Sequence, residues 1–334
     1  MTRTQRKITL KDIAEEAGVS LTAASMYING KAKKYHLSDT ACERIRLAVK
    51  KMKYVPNIHA RAIASKRTLL IGTIVSSHFE ASFWLNIFAG IEETVARDNY
   101  HMVLSVSHES AEKELKSIEF MLNKGVDGLL INPSTDFGDN LDYLRELGRR
   151  IPVVTVNRQI PGLFGAYNNN SRGGEIATAH LLELGHRKIA YVGDLMANRA
   201  RAYSQLLHQH SLEPRLFAGV GEFMDACADF TAVFCFSDYV ALEIYHEAAS
   251  RGINIPNDIS VVGYDNMDFT EFIRPRLTTV EQQKKAVGVK AAEIMLQALN
   301  REVPAPTAPE QVKFMPKLIS GESVTSLGKI NKKD

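Results

Sequence analysis

The chain has 334 residues, 45% of them hydrophobic and 24% charged, the balance of an ordinary soluble globular protein with room for two or three domains. Its three cysteines, Cys42, Cys227 and Cys235, make no C-x-x-C pair, which argues against a disulfide framework and a zinc site and fits a reduced cytoplasmic setting. The stretch from Met1 to Lys11 is polar and basic with no signal-peptide core, and no apolar run reaches the length of a membrane span.

Charge is unevenly placed along the chain. Residues 1–67 hold fifteen Lys or Arg against five Asp or Glu, a net of +10, which leaves the remainder at −7. A basic head on an acidic body is the electrostatic pattern of a nucleic-acid-binding module joined to something else. The regular apolar spacing of the head distinguishes it from a solvated tail.

Thr9 followed three residues later by Asp12 has the pattern of a capping box, with Asp in the usual Glu slot. It predicts a helix from about Leu10 that buries Ile13, Ala14 and Ala17. Gly18 ends this helix, because the tight turn that follows needs a residue tolerant of positive φ. Ser20 then caps a second helix running from Leu21 to about Asn29. On a 3.6-residue period Ala23, Ala24, Tyr27 and Ile28 share one face, and Leu21, Thr22, Ser25, Met26 and Asn29 share the other. The first face is small enough for a close helix crossing. The second is short and uncharged, as suits a helix end entering a major groove. Helix, glycine turn, helix is the helix-turn-helix layout.

A third helix is expected after Ser38, with Ala41, Ile45, Ala48, Val49 and Met52 inward and Lys50, Lys51 and Lys53 at its far end, suited to phosphate contact. The loop Gly30–Leu37 carries Lys33, Lys34 and Tyr35 and is a second candidate for contacts to the DNA backbone. Beyond Tyr54, Pro56 can begin a short helix through Ala64, a length that is marginal alone in water.

From Leu69 onward seven short apolar runs, at 69–75, 101–106, 126–132, 152–157, 188–194, 232–238 and 259–266, alternate with amphipathic segments. In one of these, 83–98, Ile87, Phe88, Ile91 and Val95 share a face. The alternation predicts βαβ units and parallel sheets, whose ligands bind at the carboxyl ends of strands. The chain has no G-x-G-x-x-G, P-loop, G-x-S-x-G or H-E-x-x-H motif, so no catalytic constellation emerges. His101, His108, His208 and His210 lack ligand-like partners, and neither a metal nor a cofactor is expected.

The stretch 8–64 resembles the headpiece of the LacI family of repressors, through D-I-A-x-x-A-G-V-S, S-x-x-I-N-G and Y-x-P-N-x-x-A-R-x-I in that order. Its long N-G-K-A-K-K-Y-H-L-S loop is most similar to the fructose and sucrose repressor branch. The resemblance implies that Leu21, Thr22 and Met26 read bases. Thr9, Ser20, Ser25, Asn29, Lys33, Lys34 and Tyr35 join them at the DNA. Leu21 and Met26 offer apolar contacts and Thr22 a hydrogen bond. No Arg or Asn stands at these positions, so part of the specificity is expected from DNA shape. Asn57, His59, Ala60 and Ile63 fall in the implied hinge, with Ile63 as the wedge for a minor-groove step where Leu is usual.

Residues 69–323 resemble the family's core, whose fold is that of periplasmic sugar-binding proteins, two Rossmann-like lobes with an effector between them. The expected architecture is therefore an all-α headpiece (1–55), a hinge (56–68) and an α/β core (69–334). By position the resemblance assigns the effector to Phe83, Trp84, Asn157, Arg158, Arg201, Phe223 and Asp265. An Arg and an Asp can hold vicinal hydroxyls while aromatic faces cover a sugar or base ring. Trp84 equally suits the core, Asp265 a helix cap and Arg201 a surface ion pair. The segment GEFMDACADFTAVF leaves too little chain for a helix the family carries there, about three turns at 3.6 residues per turn.

Together these features imply a repressor, not an enzyme: a cytoplasmic homodimer on a palindromic double-stranded DNA operator, with no membrane partner and with a small effector, a sugar or sugar phosphate. A nucleobase or nucleoside co-repressor is the alternative effector. A solute-binding protein on the same fold would lack the basic head. The polar end SLGKINKKD has no apolar heptads for tetramer formation, which favours a dimer.

Overall fold

The computed structural model describes residues 8–55, 67–76, 81–134, 140–300 and 311–329. The chain divides into two compact units, Met1–Leu70 and Ile71–Asp334.

The first unit holds three helices, α1 (Leu10–Ala17), α2 (Leu21–Ile28) and α3 (Asp39–Met52). Each starts where the sequence supplies a hydroxyl. Thr9 Oγ1 accepts from the Asp12 amide at 3.3 Å while the Thr9 amide donates to Asp12 Oδ2 at 2.7 Å, closing the capping box. Ser20 Oγ and Ser38 Oγ accept from the amides of Ala23 and Ala41. Gly18 ends α1 at φ +60°. The core is small. Ile13, Ala17, Ile45 and Ala48 are buried, with Val19, Tyr27, Ile28, Leu37 and Met52 packed at its edge. The inner face expected for α1 is buried in full, whereas on α2 only Ala24 and on α3 only Ile45 and Ala48 are, with Ala23, Tyr27, Ile28, Ala41, Val49 and Met52 half-buried.

The second unit contains two six-stranded sheets. The first lobe runs β1 (Leu70–Val75), α4 (Ala81–Val95), β2 (His101–Val106), α5 (Ala111–Asn123), β3 (Gly128–Asn132), α6 (Asn140–Leu147), β4 (Val153–Val156) and β5 (Phe164–Asn168). The second runs α7 (Asn170–Glu183), β6 (Ile189–Val192), α8 (Asn198–Gln209), β7 (Arg215–Phe217), α9 (Val220–Asp225), β8 (Ala232–Cys235), α10 (Asp238–Ser250), β9 (Ser260–Asp265) and β10 (Thr278–Glu281). Helix α11 (Lys284–Asn300) returns to pack on α4 and the first sheet, and β11 (Gln311–Phe314) and β12 (Lys317–Ile319) add one strand to each.

The strand orders are β11-β5-β4-β3-β1-β2 and β12-β10-β9-β8-β6-β7. The central pairs are parallel, as the alternation predicts, and β12 runs antiparallel to β10. All seven expected strands are present. Five others, β5, β7, β10, β11 and β12, carry weaker apolar runs and are unforeseen.

Three segments cross between the lobes, at Asn168–Asn170, Gln282–Lys284 and Met315–Pro316, and they are bonded to one another. Asn168 Oδ1 accepts from the Gln283 amide at 2.9 Å, and the Asn169 amide donates to the Phe314 carbonyl at 2.9 Å.

Between G-x-F and T-A-V-F the chain makes no further α-helix, as its length there implies. The GEF segment itself forms α9, six residues long, followed by a 3-10 turn at Cys227–Asp229 and then β8.

Candidate functional site

In the first unit α2 presents Leu21, 52% exposed, and Thr22, also exposed, at its N-terminal end. Ser25, Met26 and Asn29 lie further along, half-buried, with Asn29 Nδ2 donating to Ser25 Oγ at 3.2 Å. The outer face is therefore graded, most open where a helix end would meet base edges.

The loop after α2 is an ordered run of turns, tied by Lys31 N to Met26 O and Leu37 N to Ala32 O, and it exposes Lys33, Lys34 and Tyr35. Lys50 and Lys53 are exposed as well. Lys51 instead reaches Glu16 at 2.7 Å, which gives that lysine an intramolecular partner. The hinge candidates Asn57, His59, Ala60 and Ile63 lie outside the described residues.

In the second unit the carboxyl ends of the sheets enclose a cavity of about 520 Å³ between the lobes. Asn132, Asn157 and Asn168 line it from the ends of β3, β4 and β5. Asn157 holds φ +54°, and its Oδ1 accepts from Asn168 Nδ2 at 3.2 Å. Arg158 also lines the cavity and donates to the Pro133 carbonyl at 2.8 Å. Burial lowers the Arg158 pKa, and Glu109 and Glu114 oppose that shift.

From the other lobe the cavity is lined by Asp194, Phe236 and Arg199. Arg199 is only 8% exposed. Its guanidinium stacks on Phe236 and Tyr264 at 4.4 and 3.8 Å from the ring centroids. One nitrogen donates to the Phe236 carbonyl at 2.5 Å and stands 3.8 Å from Asp265. Close helix packing sets this position, since a Cβ on Gly174 of α7 would strike the Arg199 backbone.

Of the expected effector residues, only Asn157 and Arg158 line the cavity. Arg201 is exposed on α8, bonded to the Met196 carbonyl at 3.1 Å, and the arginine facing the cavity is Arg199. The helical period explains the correction. Arg199, Tyr203 and Leu207 recur at four-residue spacing on the buried face, and Arg201 is turned about 200° from Arg199. That spacing was available in the sequence as a signal.

Asp265 is buried behind Arg199 and outside the cavity lining. It holds φ +108° and accepts from Gln282 Nε2 at 2.6 Å. Burial raises its pKa against the opposing pull of Arg199.

Phe223 is a core residue, fully buried on α9 between Phe217 and Phe230, because its segment is a helix packed inward. Phe83 and Trp84 face inward from α4, with Trp84 stacked on Phe88 at 5.8 Å, and neither lines the cavity. The amides Asn168–Asn170, Asn198 and the cation Lys313 line it without having been foreseen.

Among the described residues no group of three or more His, Cys, Asp or Glu is placed to hold a metal ion, and no helix is long and apolar enough to cross a membrane.

Residues 9–57 match the profile described as bacterial regulatory proteins, lacI family, and residues 178–324 match the periplasmic binding protein-like domain. The HTH-type transcriptional repressor PurR of Haemophilus influenzae (strain PittEE) is 31% identical over 338 residues, covering 96% of this chain and 99% of that protein. The structure of the lac repressor dimer bound to operator and the anti-inducer ONPF superposes with a TM-score of 0.83 at 24% identity, over 96% of this chain and 100% of that one. A complex of the transcriptional regulator CelR with cellobiose has a TM-score of 0.67 at 25% identity, over 95% and 99%. A helix-turn-helix head, a two-lobed α/β core and whole-length likeness to repressors thus agree: this chain belongs to the LacI family of bacterial DNA-binding transcriptional repressors and is not an enzyme.

Proposed function

We propose that this repressor binds a palindromic operator as a homodimer and that a small molecule held between the lobes controls its operator affinity. The observation that carries the effector half of this reading is the polar cavity at the strand ends, where Asn132, Asn157, Arg158 and Arg199 converge. Side chains of this kind hold hydroxyls in fixed directions, which supports a sugar or sugar phosphate as the effector. The cellobiose in the CelR complex, on the same fold, points the same way.

A nucleobase co-repressor is the second reading, favoured by the name PurR that the relatives carry. A flat base asks for open aromatic faces. Of the two aromatics among the described residues that line the cavity, Phe236 is already covered by Arg199, which leaves half-buried Tyr167 as the one ring a base could stack on.

At the DNA, the reading assigns Leu21, Thr22 and Met26 to bases. Thr9, Ser20, Ser25, Asn29, Lys33, Lys34 and Tyr35 support them, and the hinge residues Asn57, His59, Ala60 and Ile63 enter the minor groove. The division into headpiece 1–55, hinge 56–68 and core 69–334, and a cytoplasmic location, belong to the same proposal. Effector binding shifts operator affinity by a coupling of about 1–3 kcal/mol.

Selection of sites from random duplex DNA with the full-length protein tests the reading. A two-half-site palindrome is expected, bound with a steep loss of affinity as salt rises. Absence of any enriched motif, with and without a panel of sugars and bases, would overturn it.

A further inference from the structure

We infer that the effector is an anion, a sugar or polyol carrying a phosphate monoester or a carboxylate. This rests on the reading of the inter-lobe cavity as the effector site and narrows the chemistry that site accepts.

Two helices begin at the cavity. Asn170 and Ser171 open α7 there, and Asn198 and Arg199 open α8. The N-cap of α7 is Asn169, whose side chain accepts from the Arg172 amide. Helix α8, twelve residues long, starts from Ala197, which has no side-chain acceptor to offer. The amides of Asn198 and Arg199 therefore find no acceptor among the described residues, and a helix start with free amides carries partial positive charge. Such a start holds anions well.

A second, independent feature points the same way. The Arg199 side chain is nine-tenths buried and lines the cavity, yet its Nε has no hydrogen-bond partner. Its one carboxylate neighbour, Asp265, is 3.8 Å away and is committed to Gln282 at 2.6 Å. Lys313 adds a cation from the opposite lobe. Asp194 is the one carboxylate among the described lining residues, and its Oδ1 is turned back to the Met196 amide at 2.9 Å. Arg158 adds little to this balance, because Glu109 and Glu114 stand near it. A cavity that joins two helix starts, a buried arginine with a donor to spare and several amides suits a negative group on a hydroxylated body. A neutral sugar could accept from these donors through its hydroxyl oxygens but would leave their positive charge unbalanced.

The test uses the purified full-length protein and titration calorimetry. The probes are fructose 6-phosphate, glucose 6-phosphate, gluconate, inorganic phosphate, fructose, glucose and hypoxanthine. An anionic sugar is expected to bind at least tenfold more tightly than its neutral parent.

The substitution Ala197→Asp gives α8 a capping carboxylate and places a negative charge in the cavity. It is expected to leave the melting temperature unchanged or raised and to weaken the anionic ligand at least tenfold. Arg199→Gln is expected to weaken it as well. The two anion types separate by pH, since a phosphate ester loses charge near its second pKa of about 6. Binding that falls between pH 7.5 and 5.5 identifies the ester, and binding that stays flat identifies the carboxylate.

Three results overturn the inference: a neutral sugar or hypoxanthine binding as tightly as any anion, no anionic probe binding at all, or Ala197→Asp leaving affinity unchanged. Operator binding by the same preparation is measured alongside. If it persists and responds to a neutral ligand, the repressor reading stands while the anion inference falls.

Discussion

The headpiece and the inter-lobe cavity are held together in opposite ways. In the headpiece the fixing contacts are local, Thr9 with Asp12, Ser20 with Ala23, Ser38 with Ala41, and a small apolar core lies on the far side of α2 from exposed Leu21 and Thr22. Stability and the proposed recognition surface occupy different faces. In the cavity the fixing contacts are distant in sequence, Arg199 with Asp265, Gln283 with Asn168, Asn132 with Val156, and the same side chains both brace the lobes and face the ligand space. A region of the first kind can change its specificity at little cost in stability. A region of the second kind cannot.

The largest expected effect tests that coupling at Arg199. Arg199 is stacked between Phe236 and Tyr264 and is a near cation for buried Asp265, which also holds Gln282, so losing its side chain is expected to cost about 2 kcal/mol. Arg199→Ala is therefore expected to lower the core's unfolding free energy in urea by that amount and to abolish effector binding. Arg201→Ala, two residues away on the exposed face, is expected to fall within about 0.5 kcal/mol of the parent. Equal effects of the two substitutions would mean that Arg199 braces the core no more than an exposed residue does.

Next comes the pH dependence of the core. Burial and the nearby Asp265 push Asp238 up to about 7, while Thr279, the Met267 amide and Lys284 pull it down. An unfolded Asp titrates near about 3.9. Between those values the native state keeps a proton that the unfolded chain has lost, so this group's contribution to stability is present in acid and is lost as pH rises through 7. His186 acts in the other sense. Burial lowers its pKa, with its ring nitrogens set against Thr231 and Thr325, so its contribution is lost as pH falls below the unfolded value of about 6.5. Asp238→Asn should flatten the decline between about pH 4 and 7, with Asp265 supplying what remains of it, and leave the His186 loss in place, as read by chemical denaturation from about pH 4.5 to 8.

The same contrast explains what could be read before the fold was known. Thr9–Asp12, Gly18, Ser20 and Ser38 act over three or four residues, so the headpiece helices and their inner faces follow from the chain alone. The central strands are legible because parallel strands buried on both faces are continuous apolar runs. Short β7 and the late strands β11 and β12 carry weak apolar runs, and the last two pair with strands far back in the chain. The cavity was half-read. Position pointed to Asn157 and Arg158, but choosing Arg201 over Arg199 ignored the four-residue period through Tyr203 and Leu207. Phe223 was assigned by position alone, although its helix turns it into the core.

The smaller effects lie in the headpiece, where the two roles should come apart. Ser38→Ala removes the α3 cap and is expected to cost about 1 kcal/mol. It would appear as faster hydrogen exchange across α3 in the full-length protein, with little change in operator sequence preference.

Leu21→Ala is the complement and the smallest change in stability. The side chain is half-exposed at the first position of α2, where alanine is at least as good a helix former, so unfolding is expected to shift by less than about 0.5 kcal/mol. If Leu21 packs against a base, such as a thymine methyl, operator affinity should drop by about 1 kcal/mol, roughly fivefold. The loss should concentrate at one base pair per half-site, while the salt dependence, set by Lys33, Lys34 and their neighbours, stays the same. A uniform loss over all sequences would assign Leu21 to the fold of the headpiece and erase the separation of faces that distinguishes it from the cavity.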